Sequence, residues 1–242
     1  PRSVFSRNIR EVRAYLKIEK GRLAMKKVVF VSTVAGIIPG MKEAFARQFP
    51  DVQLINLLDD GIIPEITENG GKLTPDIIKR VADYGVTAER YGASAAVCMC
   101  TTIAPAVDAA QPAVGIPYLK IDGPMLERAA TMGDRIALLV TAELTFGPST
   151  QSARKAAEKM GRGQVQIDTI LVEGAWAALN LEGDKAAHDR LIVEKAREVA
   201  GSYDVIVLEQ ASMVDAASAL EDLGVPVLTS VEMGIAQLAQ YL

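Results

Sequence analysis

Cys100, Thr101 and Thr102 follow the apolar run from Ala95 to Met99 and precede a helical pattern that starts at Ile103 to Pro105. A free thiol titrates near 8.5, about the right value to take or give a proton close to neutrality. The first N–H groups of a helix have no intrahelical partner and carry roughly half a positive charge, which suits a carboxylate. The threonine hydroxyls add donors. Such a set can move a proton at a carbon next to a carboxylate. A second polar stretch, Gln210, Ala211 and Ser212, follows the run Val205 to Leu208, and Ser212 with Asp215 has the S-x-x-D form of a capping box. Two more polar ends are Ser32 and Thr33, before Gly36 and Gly40, and Thr141 to Thr145, after Ile136 to Val140. The four ends are expected to converge on one small anionic ligand, with Cys100 as the reacting group. Ser32, Thr33, Thr101, Thr102, Thr141, Thr145, Gln210, Ala211 and Ser212 are expected around it. Glu143 and Asp122 also lie near strand ends.

Convergence of this kind needs open parallel sheets, which bind ligands beyond the carboxyl ends of their strands. From Lys26 onward, short β-branched runs alternate with helical patterns: Val28 to Val31, Val52 to Leu58, Ala95 to Met99, Ile116 to Leu119, Ile136 to Val140, Val165 to Leu171, Val205 to Leu208, and Val225 to Leu228. Unbroken apolar runs fit strands buried on both faces, so the fold class is α/β with parallel, helix-covered sheets. Thr74-Pro75 predicts a helix cap with proline in the first turn. Gly147, Pro148 and Ser149 are read as opening a helix around Ala153 to Lys159, which Gly161 and Gly163 close. The stretches from Ala95 to Leu119 and from Val205 to Leu228 share one pattern, with Cys100 lying 17 residues before Pro117 and Gln210 lying 16 before Pro226. This predicts two pseudo-symmetric lobes, residues 25–122 with 229–242 and residues 123–228, with the active site in the cleft between them.

Other functions are disfavoured by composition. A net charge of −4 argues against a nucleic-acid partner, and no apolar run is long enough for a membrane span. The only cysteines, Cys98 and Cys100, are too close on one strand to bridge, which fits a reduced cytoplasm. One histidine and two adjacent cysteines make no zinc set, so no metal is expected. Gly161-Arg162-Gly163 follows a helical pattern and is not a nucleotide loop. Cys98 reads as core, His188 as a surface residue on a charged helix, and Trp176 as packing. Residues 1–24 are basic and read either as a leader upstream of Met25 or as an amphipathic docked helix.

Cys100-Thr101-Thr102 resembles the Cys-(Asn/Thr)-Thr turn of the aspartate/glutamate/hydantoin racemases. IVLEQASM with GVPVLTS resembles the matching turn of their other lobe, and RIALLVTAELTFGPS their middle strand. The resemblance covers nearly everything from Met25 to Leu242. It implies a cofactor-independent amino-acid racemase or isomerase, a small carboxylate substrate, a homo-oligomer of two or more chains, and a last helix, Val231 to Leu242, packed on the first lobe. Such racemases place one thiol on each face of the substrate; here Gln210 stands at the second position, preceded by Glu209. The resemblance therefore also admits an arylmalonate-decarboxylase-like enzyme, whose single thiol sits in the other lobe. A maleate-isomerase-like enzyme with Cys100 as nucleophile, and an inactive carboxylate-binding protein, stay open too. Glu209 is a candidate second acid/base, although strand alternation turns it away from the pocket of Gln210.

Overall fold

Eight apolar runs become eight parallel strands in the computed structural model, which describes residues 25–242. The reading of residues 1–24 lies outside the described residues. Strands β1 (Lys27–Ser32), β2 (Gln53–Leu58), β3 (Ala95–Cys98) and β4 (Tyr118–Lys120) form one sheet in the order β2-β1-β3-β4. Strands β5 (Arg135–Val140), β6 (Gln166–Leu171), β7 (Val205–Leu208) and β8 (Val227–Thr229) form a second in the order β6-β5-β7-β8. The nine α-helices among the described residues are α1 (Ile38–Gln48), α2 (Ile62–Glu68), α3 (Pro75–Arg90), α4 (Ala104–Ala110), α5 (Gly123–Met132), α6 (Glu143–Lys159), α7 (Ala175–Asn180), α8 (Lys185–Val199) and α9 (Ser230–Ala236). None is long and apolar enough to cross a membrane.

Period-two alternation divides each inner strand between two cores. In the first sheet, Val29 and Val31 face Ile77 and Val81 of α3, while Val28 and Phe30 face Met41 and Phe45 of α1. The rings of Phe30 and Phe45 meet edge-on at 5.5 Å. In the second, Ile136 and Leu138 pack with Ala153 and Ala157 of α6, while Ala137 and Leu139 pack with Ile192 and Ala196 of α8. Each such valine, leucine, isoleucine, methionine or phenylalanine, fully buried, contributes about 1.5–3 kcal/mol. Burial on both faces is why these strands read as unbroken apolar runs. Val231, Ile235 and Leu238, on α9 and the turn after it, join the Phe30 core of the first sheet. There Gly234 meets the backbone of Ile121 so closely that a Cβ would lie 2.1 Å from the Ile121 carbonyl oxygen.

Thr74 caps α3 as its sequence predicts, accepting the Ile77 N–H at 3.3 Å. Gly161, with φ of 70°, follows α6 in the left-handed region, where glycine is favoured. The expected start of α6 is corrected. The helix begins at Glu143 and runs through Pro148. The Thr145 N–H and hydroxyl both bond the Ala142 carbonyl and close the first turn upstream. Proline at 148 removes one hydrogen bond, and the buried stripe of Thr145, Ser149, Ser152, Ala153 and Ala156 keeps the helix continuous. His188 is also corrected from surface to core. It shares the buried face of α8 with Ala187, Ile192 and Ala196, and its Nδ1 lies 2.9 Å from the Ala175 carbonyl.

Candidate active site

Beyond β3, the Met99 N–H still bonds the Val31 carbonyl at 2.8 Å, and Cys100 continues in extended backbone. The chain then tightens into a 3-10 turn, Thr101–Ile103, that leads into α4. The N–H groups of Thr101 and Thr102 come before the first acceptor this turn offers. Beyond β7 the same construction recurs. The Glu209 N–H bonds the Leu139 carbonyl at 3.2 Å, Gln210 is extended, and a 3-10 helix, Ala211–Leu220, follows. Its first bond runs from the Met213 N–H to the Gln210 carbonyl at 2.9 Å. Cys100 and Gln210 thus occupy equivalent ends of the third strand of each sheet.

A cavity of about 1060 Å³ opens between these ends, lined from the first sheet by Thr33, Cys100, Thr101 and Thr102. The second sheet contributes Thr141, Thr145, Gln210, Ala211 and Ser212 to the same cavity. Ser32 does not line it; it is buried, as alternation along β1 directs its side chain opposite to that of Thr33. Thr33 brings a buried hydroxyl that has no partner among the described residues. The hydroxyl of Thr145 is occupied by the Ala142 carbonyl at 2.6 Å. The capping box expected at Ser212 and Asp215 is not formed, because Ser212 lies inside the 3-10 helix and Asp215 pairs with Lys185 of α8 at 2.8 Å.

Gln210 is held in one orientation. Its Oε1 accepts the Thr141 N–H at 2.6 Å and the Thr141 hydroxyl at 2.9 Å. A backbone N–H only donates, so the amide oxygen must face Thr141 and the NH₂ must point away from it. Among the described residues the NH₂ bonds no partner, which leaves two donors for the cleft. Glu209 turns the other way and is fully buried. Burial, and then the neighbouring carboxyl of Asp122, push its pKa well up. Cys98 is likewise buried, its thiol pushed well up by burial and donating to the Cys100 carbonyl at 3.4 Å. Cys100 is therefore the one cysteine that reaches the cleft.

The cleft walls hold residues the sequence did not single out. Ile37, Met41, Leu144, Leu171 and Val214 line it, and they look like core positions in one dimension. Trp176, expected to be packing, is 42% exposed and faces the cavity from α7. Glu143 lines the cavity with Glu43 and Glu173, and none of the three has an ion-pair partner among the described residues. The two basic lining residues are both neutralised, Arg47 by Glu232 at 2.7 Å and Lys185 by Asp189 and Asp215. Among the described residues no group of three or more His, Cys, Asp or Glu could hold a metal ion.

A family model described as Asp/Glu/Hydantoin racemase matches residues 28–238. No curated protein matches the chain. The fold is similar to that of glutamate racemase isoform RacE1 from Bacillus anthracis, with a TM-score of 0.68 and 17% identity over 89% of this chain and 80% of that one. Allantoin racemase from Klebsiella pneumoniae matches with a TM-score of 0.64 and 15% identity over 89% and 87% of the two chains. An unliganded arylmalonate decarboxylase matches with a TM-score of 0.54 and 18% identity over 90% and 92%. At these identities the structural likeness carries the fold alone.

Proposed function

The chain belongs to the Asp/Glu/Hydantoin racemase family, and from that premise we propose an enzyme that moves a proton at the carbon next to a carboxylate, with Cys100 as its acid/base, in the manner of an amino-acid racemase or isomerase. The observation that supports this best is the asymmetric pair at equivalent strand ends, a thiol that can exchange a proton and an amide fixed as a donor. A substrate carboxylate sits against the N–H groups and hydroxyls of Thr101 and Thr102. The thiolate of Cys100 removes the α-proton, and the electron pair of the broken C–H bond passes into the carboxylate as an enediolate. Donors already aimed at that site stabilise the new charge, because they need no reorganisation as it forms. The Gln210 NH₂ is one of them. The Gln210 amide exchanges no proton near neutrality, so inversion requires water or another group to protonate that face. Exchange with retention then outpaces inversion.

The same fixed amide favours a second reading. If the C–C bond to a second carboxylate breaks and CO₂ leaves, the enediolate needs one proton on one face, which the Cys100 thiol supplies. Proton NMR in D₂O with amino acids, hydantoins and aryl malonates separates the two. Deuterium entering Cα without loss of CO₂, and absent in Cys100→Ala, is the expected result. Deuterium entering only with CO₂ release selects the decarboxylase. Turnover retained in Cys100→Ala refutes the role of the thiol.

A further inference from the structure

Two buried carboxyls take no part in this chemistry. Asp122 follows β4 and is 1% exposed; Glu209 follows β7 and is 0% exposed. Among the described residues, none of their four carboxyl oxygens meets another residue's donor in hydrogen-bonding geometry, and the hydroxyl of Ser149 beside Glu209 is also without a partner. Two ionised carboxylates in contact repel too strongly to persist in a dry core. A single proton between them turns the repulsion into a charge-assisted O–H···O⁻ bond. Burial raises both carboxyls, Glu209 further than Asp122. The other groups facing the pair are the neutral thiol of Cys98, the Ser149 hydroxyl, and the Lys120 ammonium, which is itself tied to Asp108 at 2.9 Å. One remaining negative charge near one shared cation fits one proton better than two.

The placement of the pair gives it a role. The β3–β4 register sets Cys98 beside Lys120, and the Ile121 N–H bonds the Cys98 carbonyl at 3.1 Å. Asp122 follows Ile121 directly and stands at the start of α5, close to the thiol of Cys98. Glu209 directly precedes Gln210. Glu209 therefore leads straight into the Gln210 turn, and Asp122 is tied through the Ile121 N–H to β3, which leads into the Cys100 turn. We propose that Asp122 and Glu209 share one proton and clasp the two sheets together, holding the Cys100 and Gln210 turns at a fixed separation. Both are positioning residues. The positioning role rests on the proposed function of the two turns; the shared proton does not.

A group whose folded pKa is raised contributes stability that is fully present below its unfolded value, near 4 for a carboxyl, and that is lost as pH rises through the folded value. Two measurements on the full chain test the clasp. The first is thermal unfolding from about pH 5 to about pH 9, spanning the window above the unfolded value. The second is the rate ratio of Cys100 alkylation by iodoacetate and by iodoacetamide, which cancels the thiolate fraction and reports how well a carboxylate is held. The Glu209→Gln amide can donate to the Asp122 carboxylate without titrating. Expected in the wild type is a melting temperature and an iodoacetate preference that both fall as pH rises, the preference by about tenfold, equivalent to one hydrogen bond to a charged group. Glu209→Gln holds both level, as does the double variant Asp122→Asn/Glu209→Gln. Glu209→Ala lowers the preference at every pH while circular dichroism shows it folded. A Glu209→Gln protein that follows the wild-type pH curves overturns the proposal, whether or not Glu209→Ala folds. Should the wild type show no more iodoacetate preference than a free thiol, the reading of the turns fails; the unfolding curves still decide the shared proton.

Discussion

Replacing Gln210 in two ways separates its structural duty from its chemical one. In Gln210→Ala the Thr141 N–H and hydroxyl lose their acceptor at 2.6 and 2.9 Å, in a residue only 4% exposed. A buried donor left without a partner costs about 1–3 kcal/mol, which for a domain of this size lowers the melting temperature by about 2–12 °C. Gln210→Glu keeps an acceptor facing Thr141, so its melting temperature stays close to the wild type. What it loses is the NH₂ that faces the cleft. A hydrogen bond to a charged group is worth about 1.5–3 kcal/mol, so carboxymethylation of Cys100 by iodoacetate slows by about 10- to 150-fold relative to iodoacetamide. Differential scanning calorimetry and alkylation followed by mass spectrometry supply the two readouts. An unchanged melting temperature in Gln210→Ala refutes the Thr141 argument. Wild-type preference for iodoacetate in Gln210→Glu refutes the donor role.

Three further outcomes follow from the packing and the charges. Gly234→Ala drives a Cβ to 2.1 Å from the Ile121 carbonyl oxygen, a backbone atom that moves only with β4 and Asp122. Overpacking of this kind costs about 1–3 kcal/mol or more, and a melting temperature equal to the wild type contradicts it. Alkylation of the folded protein at mildly alkaline pH labels Cys100 and spares Cys98, whose thiol burial holds protonated; equal labelling refutes that burial. With Arg47 and Lys185 neutralised and Glu43, Glu143 and Glu173 unpaired in the lining, 2-bromopropionate modifies Cys100 faster than the more anionic 2-bromosuccinate. The gap narrows in salt and in Glu173→Gln; a faster reaction with 2-bromosuccinate sinks the charge argument.

The strands were legible because burial on both faces leaves an unbroken apolar run, and β1, β3, β5 and β7 stand where such runs occur. The turns around Cys100 and Gln210 were legible as polar breaks after those runs. Position 148 was misread because proline and glycine punctuate helices locally, whereas a buried stripe of small residues carries α6 past them. His188 was misread because the charges around it lie on the other faces of α8, while i and i+4 spacing puts it in line with Ile192. Nothing in the sequence brings Asp122 to Glu209 or separates the cleft-lining Ile37 and Leu171 from true core. Those neighbours are made where helices and turns bring the ends of the two sheets together, a long-range event without a local signal.

The two sheets share one strand order, and the backbone leaves β3 and β7 through matching hydrogen bonds. A ligand with two similar ends would meet nearly the same main-chain donors whichever way round it entered. In the proposed reaction, left and right are therefore told apart by side chains, above all those at 100 and 210. The handedness of the product resides in which of two pseudo-equivalent positions holds the sulfur, a property that one exchange of residues reverses while the scaffold stays as it is.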